Sequence, residues 1–211
     1  MTSTPLVLLV GGRLASGKDT FADYLVEHHG FVKLGMSDIL AEALYRLDPV
    51  IPIHFGEALH GAPDASWVTH RSYQYIVDAI GYVEAKKNPE VRRLLQQLGT
   101  EVGRQLLGED IWVQGAARRI DAELNAGHQV VITGIRYENE LGLDKYIKAW
   151  PAAVTSVWVN RPQELDPTAA AHSSEQLTGD RFEYELNNDG TLEQLYVNSE
   201  ALLIEIIEDF A

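Results

Sequence analysis

Leu6 to Val10 form an unbroken apolar run, Leu-Val-Leu-Leu-Val, closed by Gly11 and Gly12. A run of that length ending in glycines predicts a strand buried on both faces that enters a tight turn. The period then changes. From Gly17 to His28, the residues Phe21, Tyr24, Leu25 and His28 recur at helical spacing, with Gly30 just past the end. Phe31 to Leu34 reads as a short second strand, and Ser37 or Asp38 offers a cap for the helix that follows. Residues 48–68 carry Pro49, Pro52 and Pro63 and show no clear period, so they read as an insertion or flap. A long helical region covers about 70–125, broken near Asn88-Pro89 and near Gly108; within it Leu94, Leu95, Leu98, Val102 and Leu106 repeat at three and four residues. Gln129 to Thr133 has the apolar content of a central strand. A helix after Tyr137, a strand at Val154 to Val159 and a polar loop or lid at 161–181 follow. Next come a short strand at Tyr184 to Leu186 and a turn at Asn188-Asp189-Gly190. The final helix, 191–209, carries Leu195, Leu202, Leu203, Ile206 and Ile207. Strands alternating with helices predict a three-layer α/β sandwich around a mainly parallel sheet.

Composition narrows the classes. The 211 residues suit one domain with a small insertion, and 45% hydrophobic residues are enough for a buried core. Seventeen Lys and Arg against 31 Asp and Glu leave a net charge of −14. Such a surface disfavours polymeric nucleic acid, although a small anion can still bind a local basic cleft. There are no cysteines, so disulfides, thiolate catalysis and zinc–cysteine sites are excluded. No stretch approaches the roughly 20 apolar residues of a membrane span. The N-terminal apolar run leads into glycines and not into a cleavage site, so a cytoplasmic protein is expected.

The segment Gly12-Arg-Leu-Ala-Ser-Gly17-Lys18-Asp19-Thr20 fits the phosphate-loop pattern G-x-x-x-x-G-K, with Asp in the next position. Glycines let backbone N–H groups turn toward phosphate oxygens, and the helix that begins there adds its N-terminal partial charge. Lys18 is placed to reach the β- and γ-phosphates of ATP. Gly12, Arg13, Ala15, Ser16, Gly17, Lys18, Asp19 and Thr20 are therefore the candidate ATP ligands. The Ser or Thr that usually follows the lysine to ligate Mg²⁺ is Asp19 here. Asp19 is either a metal ligand, since a carboxylate is a hard oxygen donor, or a helix cap.

Phosphoryl transfer needs positive charge around the transferring group and the acceptor. Arg136 directly follows the strand at 129–133, where a parallel sheet presents its active edge. It is a phosphate ligand, or it pairs on the surface with Glu138 or Glu140. Arg104 is a substrate ligand or part of a solvated helix face; Arg92 and Arg93 point apart. Arg161 and Arg181 bracket the lid, where an arginine can swing in on transition-state charge. Asp38 either orients the attacking group or caps a helix. His172-Ser-Ser-Glu175 sets polar groups on the lid, with Glu175 a candidate substrate contact and no metal-ligand spacing. Trp67, Tyr73 and Tyr75 can stack a base or simply pack, and Tyr73, Tyr75 or Trp112 can wall a sugar.

Four stretches together resemble the phage-type deoxynucleoside monophosphate kinases of the P-loop group. They are V-G-G-R-L-A-S-G-K-D-T at 10–20; R-R-L-L-Q-Q-L-G-T-E-V-G-R at 92–104 with G-E-D-I-W-V at 108–113; V-V-I-T-G-I-R-Y-E-N-E at 130–140; and H-S-S-E at 172–175 with L-N-N-D-G-T-L-E-Q-L-Y at 186–196. The resemblance implies a P-loop kinase fold with a five-stranded parallel sheet, ATP and Mg²⁺ as donor, and a deoxynucleoside monophosphate as acceptor. It implies a single domain over 1–211 with a helical substrate-binding insertion at about 45–108 and a lid at about 161–181. Lys18, Asp19, Arg104 and Arg136 match functional positions, with Lys18, Arg136 and Asp38 the catalytic candidates. A homodimer is left open. One departure is Gly134, where such sequences often have Asp. Two rivals remain at this point. One is a P-loop kinase for another small acceptor, dephospho-coenzyme A or phosphomevalonate. The other is a non-catalytic nucleotide-binding switch, although the sequence has no N-K-x-D-like guanine-reading stretch.

Overall fold

The computed structural model describes residues 4–55, 67–149, 151–162 and 177–211. Two compact units divide the chain: Met1–Met36 with Val113–Ala211, and Ser37–Trp112.

The first unit is built on strand β1 (Leu6–Gly12), whose apolar run lies at the middle of a five-stranded sheet. With β2 (Val32–Gly35), β5 (Val130–Ile135), β6 (Ala153–Asn160) and β7 (Tyr184–Asn187), the order is β2-β5-β1-β6-β7, and every pairing is parallel. Side chains alternate across a strand. Leu6, Leu8 and Val10 accordingly face one layer, with helices α1 (Lys18–His29) and α8 (Leu192–Asp209), through Phe21, Leu25, Leu195, Leu202, Leu203 and Ile206. Val7 and Leu9 face the other, where Val113, Ala116, Ala117, Ile120 and Leu124 of α6 (Ile111–Asn125) pack. Each of these Val, Leu, Ile and Phe side chains removed from water contributes roughly 1.5–3 kcal/mol. The result is the expected three-layer sandwich, with all five strands parallel. Two expected inward residues are exposed: Ile207 at 50% on α8, and His28, whose ring lies tilted against that of Tyr24 with centroids 4.7 Å apart.

The second unit holds α2 (Asp38–Leu47), strands β3 (Val50–Phe55) and β4 (Trp67–Ser72), and helices α3 (Tyr73–Ile80), α4 (Tyr82–Ala85) and α5 (Pro89–Gln97). A ten-residue π-helix, Leu98–Leu107, continues from α5. The insertion or flap expected over 48–68 contains regular structure at both ends: β3 and β4 form an antiparallel ribbon, Val50 opposite Ser72 through Phe55 opposite Trp67, while residues 56–66 lie outside the described residues. Pro52 sits in β3 opposite His70. A two-stranded ribbon consists of edges alone, so a proline with no N–H to give is tolerated. The helical region breaks at Asn88-Pro89 as expected, where the Asn88 side chain accepts from the Glu90 N–H at 2.9 Å, and also at Gly81. The leucine repeat fails after Leu98: Leu95 is buried, but Val102 and Leu106 are 37% and 76% exposed. The π-helix changes the rotation per residue, so α-helical spacing no longer points inward. Among the described residues, no helix is long and apolar enough to cross a membrane.

Candidate active site

The phosphate-loop residues hang between β1 and α1. Gly12 and Gly17 take φ of 150° and 97°, and Ala15 takes a left-handed φ of 58°. Alternation of this kind makes a concave nest of N–H groups suited to an anion. The loop closes on itself through the Ser16 N–H donating to the Arg13 carbonyl at 3.1 Å, while the Lys18 ammonium reaches the same carbonyl at 3.2 Å. There is no room for side chains at its glycines. A Cβ on Gly12 would lie 2.5 Å from Ser16 Oγ and 2.7 Å from the Val159 carbonyl, and one on Gly17 would collide with Asn188 Nδ2.

Asn188, which the sequence places only in a turn, belongs to the site. It is buried, and its amide donates to the Ser16 carbonyl at 2.8 Å. Its own N–H donates to the Asn160 carbonyl at 2.8 Å, which ties the end of β7 to the end of β6. The turn composition N-D-G located the bend but not this reach across the fold. Ser16 Oγ is buried without a hydrogen-bond partner among the described residues. This orphaned hydroxyl, the nest and the N-terminus of the twelve-residue α1 fit a phosphate chain.

Arg136 lies one residue beyond Ile135, which pairs with Gly11, so it stands at the same carboxyl edge as the loop. The Glu140 carboxylate, buried on the short helix α7 (Glu138–Leu141), accepts from the backbone N–H groups of Arg136 at 2.7 Å and Tyr137 at 3.2 Å. Glu138 binds Arg181. Both carboxylates considered as surface partners for Arg136 therefore have other engagements. Gly134 has φ 87° and is skipped in the register between Val10–Thr133 and Gly11–Ile135. An aspartate there would have to adopt a backbone conformation that glycine takes without penalty. Arg161, exposed, follows Asn160 at the end of β6.

Asp19 is exposed in the first turn of α1, and its carboxylate lies 3.4 Å from the Lys33 ammonium. Lys33 also pairs with Asp23 at 2.9 Å. Burial opposes its charge, but the bond to Asp23 and the fields of both carboxylates hold its pKa above the ordinary lysine value. Exposed pairs of this kind are weak, so Asp19 stays available to a cation. Among the described residues no three metal-ligating side chains converge. A hard-oxygen carboxylate beside the loop, Asp19, fits Mg²⁺, which is usually held by one or two carboxylates plus substrate phosphates.

In the second unit, Asp38 opens α2, with Ser37 at the N-cap position and no cap bond from its side chain. Arg104 lies in the π-helix, partly buried. Tyr73 is wholly buried in that unit's core, so it is a packing residue and not a base platform, while Tyr75 is 60% exposed. Glu175 and His172 lie outside the described residues, as do the Trp67 side chain and most of the lid.

A family model described as deoxynucleotide monophosphate kinase matches residues 31–198, well over half of the chain. The match begins after the phosphate loop, so the loop is an independent observation. A search of curated proteins gives no match. Among solved structures, that of TT1252 from Thermus thermophilus has a TM-score of 0.53 at 17% identity, covering 96% of this chain and 98% of that one. Dephospho-CoA kinase from Campylobacter jejuni has 0.50 at 13% identity, covering 95% and 96%. At these identities the likeness is one of fold.

Proposed function

The chain belongs to the deoxynucleotide monophosphate kinase family, and from that premise we propose how its residues carry the reaction. The γ-phosphoryl of ATP passes in line to a 5′-phosphate oxygen of a deoxynucleoside monophosphate. The bond to the bridging oxygen of ADP breaks as the new P–O bond forms. The acceptor oxygen is already ionised, so little base help is needed and positioning with charge neutralisation carries the rate.

The observation that carries this reading is the nest at Gly12–Gly17 with Lys18 folded over it. Loop N–H groups from Gly12, Arg13, Ala15 and Gly17, with the hydroxyls of Ser16 and Thr20, hold the donor phosphates, and Lys18 neutralises the transferring group. Arg136 binds the phosphate being transferred or accepted, its backbone held by Glu140. Arg104 binds the acceptor. Asp38 orients the attacking group, Glu175 contacts the substrate, and Arg161 contacts ATP. Mg²⁺ bound through Asp19 and the donor phosphates would supply further charge neutralisation. The helical region at about 45–108 serves the acceptor, and closure over 161–181 excludes water, which suppresses hydrolysis. The setting we assign is the cytoplasm, where ATP and monophosphates meet; the resemblance to phage-type enzymes carries the assignment of a phage origin. With the family shown, dephospho-coenzyme A, phosphomevalonate and the non-catalytic switch are not favoured, and the likeness to a dephospho-CoA kinase adds only the fold.

Lys18→Ala tests the loop assignment. It should remain folded and lose roughly a hundredfold or more in kcat, the scale of one preorganised electrostatic contact. Near-normal turnover by a folded variant would overturn it.

A further inference from the structure

A π-helix is normally a single-turn bulge inside an α-helix and often marks a functional site. Here it runs for ten residues, Leu98–Leu107, directly after α5. Its bonding is explicit at the end, where the Gly108 N–H donates to the Gly103 carbonyl, five residues back, at 3.0 Å. Something must hold this register against the α-geometry that α5 would propagate.

Trp112 does so at two points, both within the unit Ser37–Trp112. Its indole N–H donates to the Gly99 carbonyl at 2.9 Å. Its ring lies where a side chain at Gly103 would be: a Cβ there would be 2.5 Å from Cζ2 and 2.6 Å from Cε2. Leu40 packs on Gly99, 3.1 Å from the position of a Cβ there. Gly103 therefore has no room for a side chain while the indole is in place, whereas a Cβ on Gly99 would ask only a small shift of the Leu40 side chain. Arg104 follows Gly103 in the chain. Each residue of an α-helix turns about 100°, so a one-residue slip of register would re-aim Arg104 by about that angle.

We propose that Trp112 is a positioning residue for the acceptor, holding the π-register of 98–107 and with it the direction of Arg104. This deepens, and rests on, the reading of Arg104 as an acceptor ligand.

The test uses the full-length enzyme with its best deoxynucleoside monophosphate. Trp112→Phe keeps a ring and loses the N–H donor. It should raise the acceptor KM by about threefold to tenfold, the fold-change of one net hydrogen bond, and leave the KM for ATP unchanged. Gly103→Ala, which drives the ring away, should raise it further. Combined with Arg104→Lys, Trp112→Phe should add nothing. If Trp112→Phe fails to fold, benzothienylalanine at 112 keeps the bicyclic shape without the N–H and makes the same comparison. Two results overturn the proposal while leaving Arg104 in place. One is an unchanged acceptor KM with a lower Tm. The other is an equal rise in KM with and without Arg104. A wild-type acceptor KM in Arg104→Lys would instead remove the reading of Arg104 itself.

Discussion

Replacing Asn188 by alanine removes a side-chain donor that reaches the Ser16 carbonyl at 2.8 Å inside the phosphate loop. The site is buried, with Asn188 only 7% exposed, so water does not simply take the donor's place. Leaving a buried acceptor unpaired costs about 1–3 kcal/mol. That bond fixes the loop in the conformation that binds phosphate, so the cost falls on ATP binding. Converted at about 1.4 kcal/mol per tenfold, ATP affinity should fall by about fivefold to 150-fold. Asn188→Asp keeps the volume but sets a carboxylate oxygen against the carbonyl, so it should be at least as damaging. Calorimetric titration with a non-hydrolysable ATP analogue reads the affinity, and thermal unfolding reads the fold. Wild-type affinity in both variants, with a lowered Tm alone, would refute the argument and leave Asn188 as a packing residue.

Two further outcomes follow from the same geometry. Asp19→Ala should raise the Mg²⁺ concentration needed for half-maximal rate; an unchanged Mg²⁺ dependence with reduced thermal stability would make Asp19 a first-turn helix residue only. Burial, with Tyr82 nearby, pushes the Tyr73 hydroxyl up to about 12, and it has no hydrogen-bond partner among the described residues. A tyrosine whose pKa is raised on folding gives stability that is complete below about pH 10 and is lost as pH rises toward the folded value. Urea midpoints should therefore drop between about pH 10 and 12, and Tyr73→Phe should flatten the drop at little cost in neutral solution. Tyr184, also pushed up to about 12 by its bond to Asp209, contributes in the same window, as do Tyr24 and Tyr45, raised by their bonds to Glu200 and Asp78. An identical alkaline drop in Tyr73→Phe would contradict the assignment.

The sheet was legible because β1 and β5 are buried on both faces and their apolar runs have no competing period. The β3–β4 ribbon was not, because prolines that argue against a central strand say nothing against an edge. The turn of the chain after Leu98 was misread for a related reason: leucines at three and four residues assume α-rotation, and the Trp112 contact that sustains a different rotation lies outside the repeat. At the site, the phosphate loop was legible because its ligands are backbone groups fixed by local spacing. Asn188 was hidden because it meets Ser16 across 172 positions of sequence. Glu140 was hidden in a different way: read as a surface carboxylate, it is buried and spends its charge on two backbone N–H groups.

The central claim is transfer from ATP to a deoxynucleoside monophosphate, and kcat/KM across dTMP, dGMP, dAMP, dCMP and their ribose counterparts tests it most directly. ADP release should be coupled to identification of the diphosphate product. At least one deoxynucleotide should be converted to its diphosphate, with turnover dependent on the acceptor. Ribonucleotides should react measurably but more slowly, since an apolar wall discriminates against one added hydroxyl by only about a hundredfold. Turnover of dephospho-coenzyme A or phosphomevalonate alone, or slow ATP hydrolysis indifferent to every monophosphate, would contradict the account.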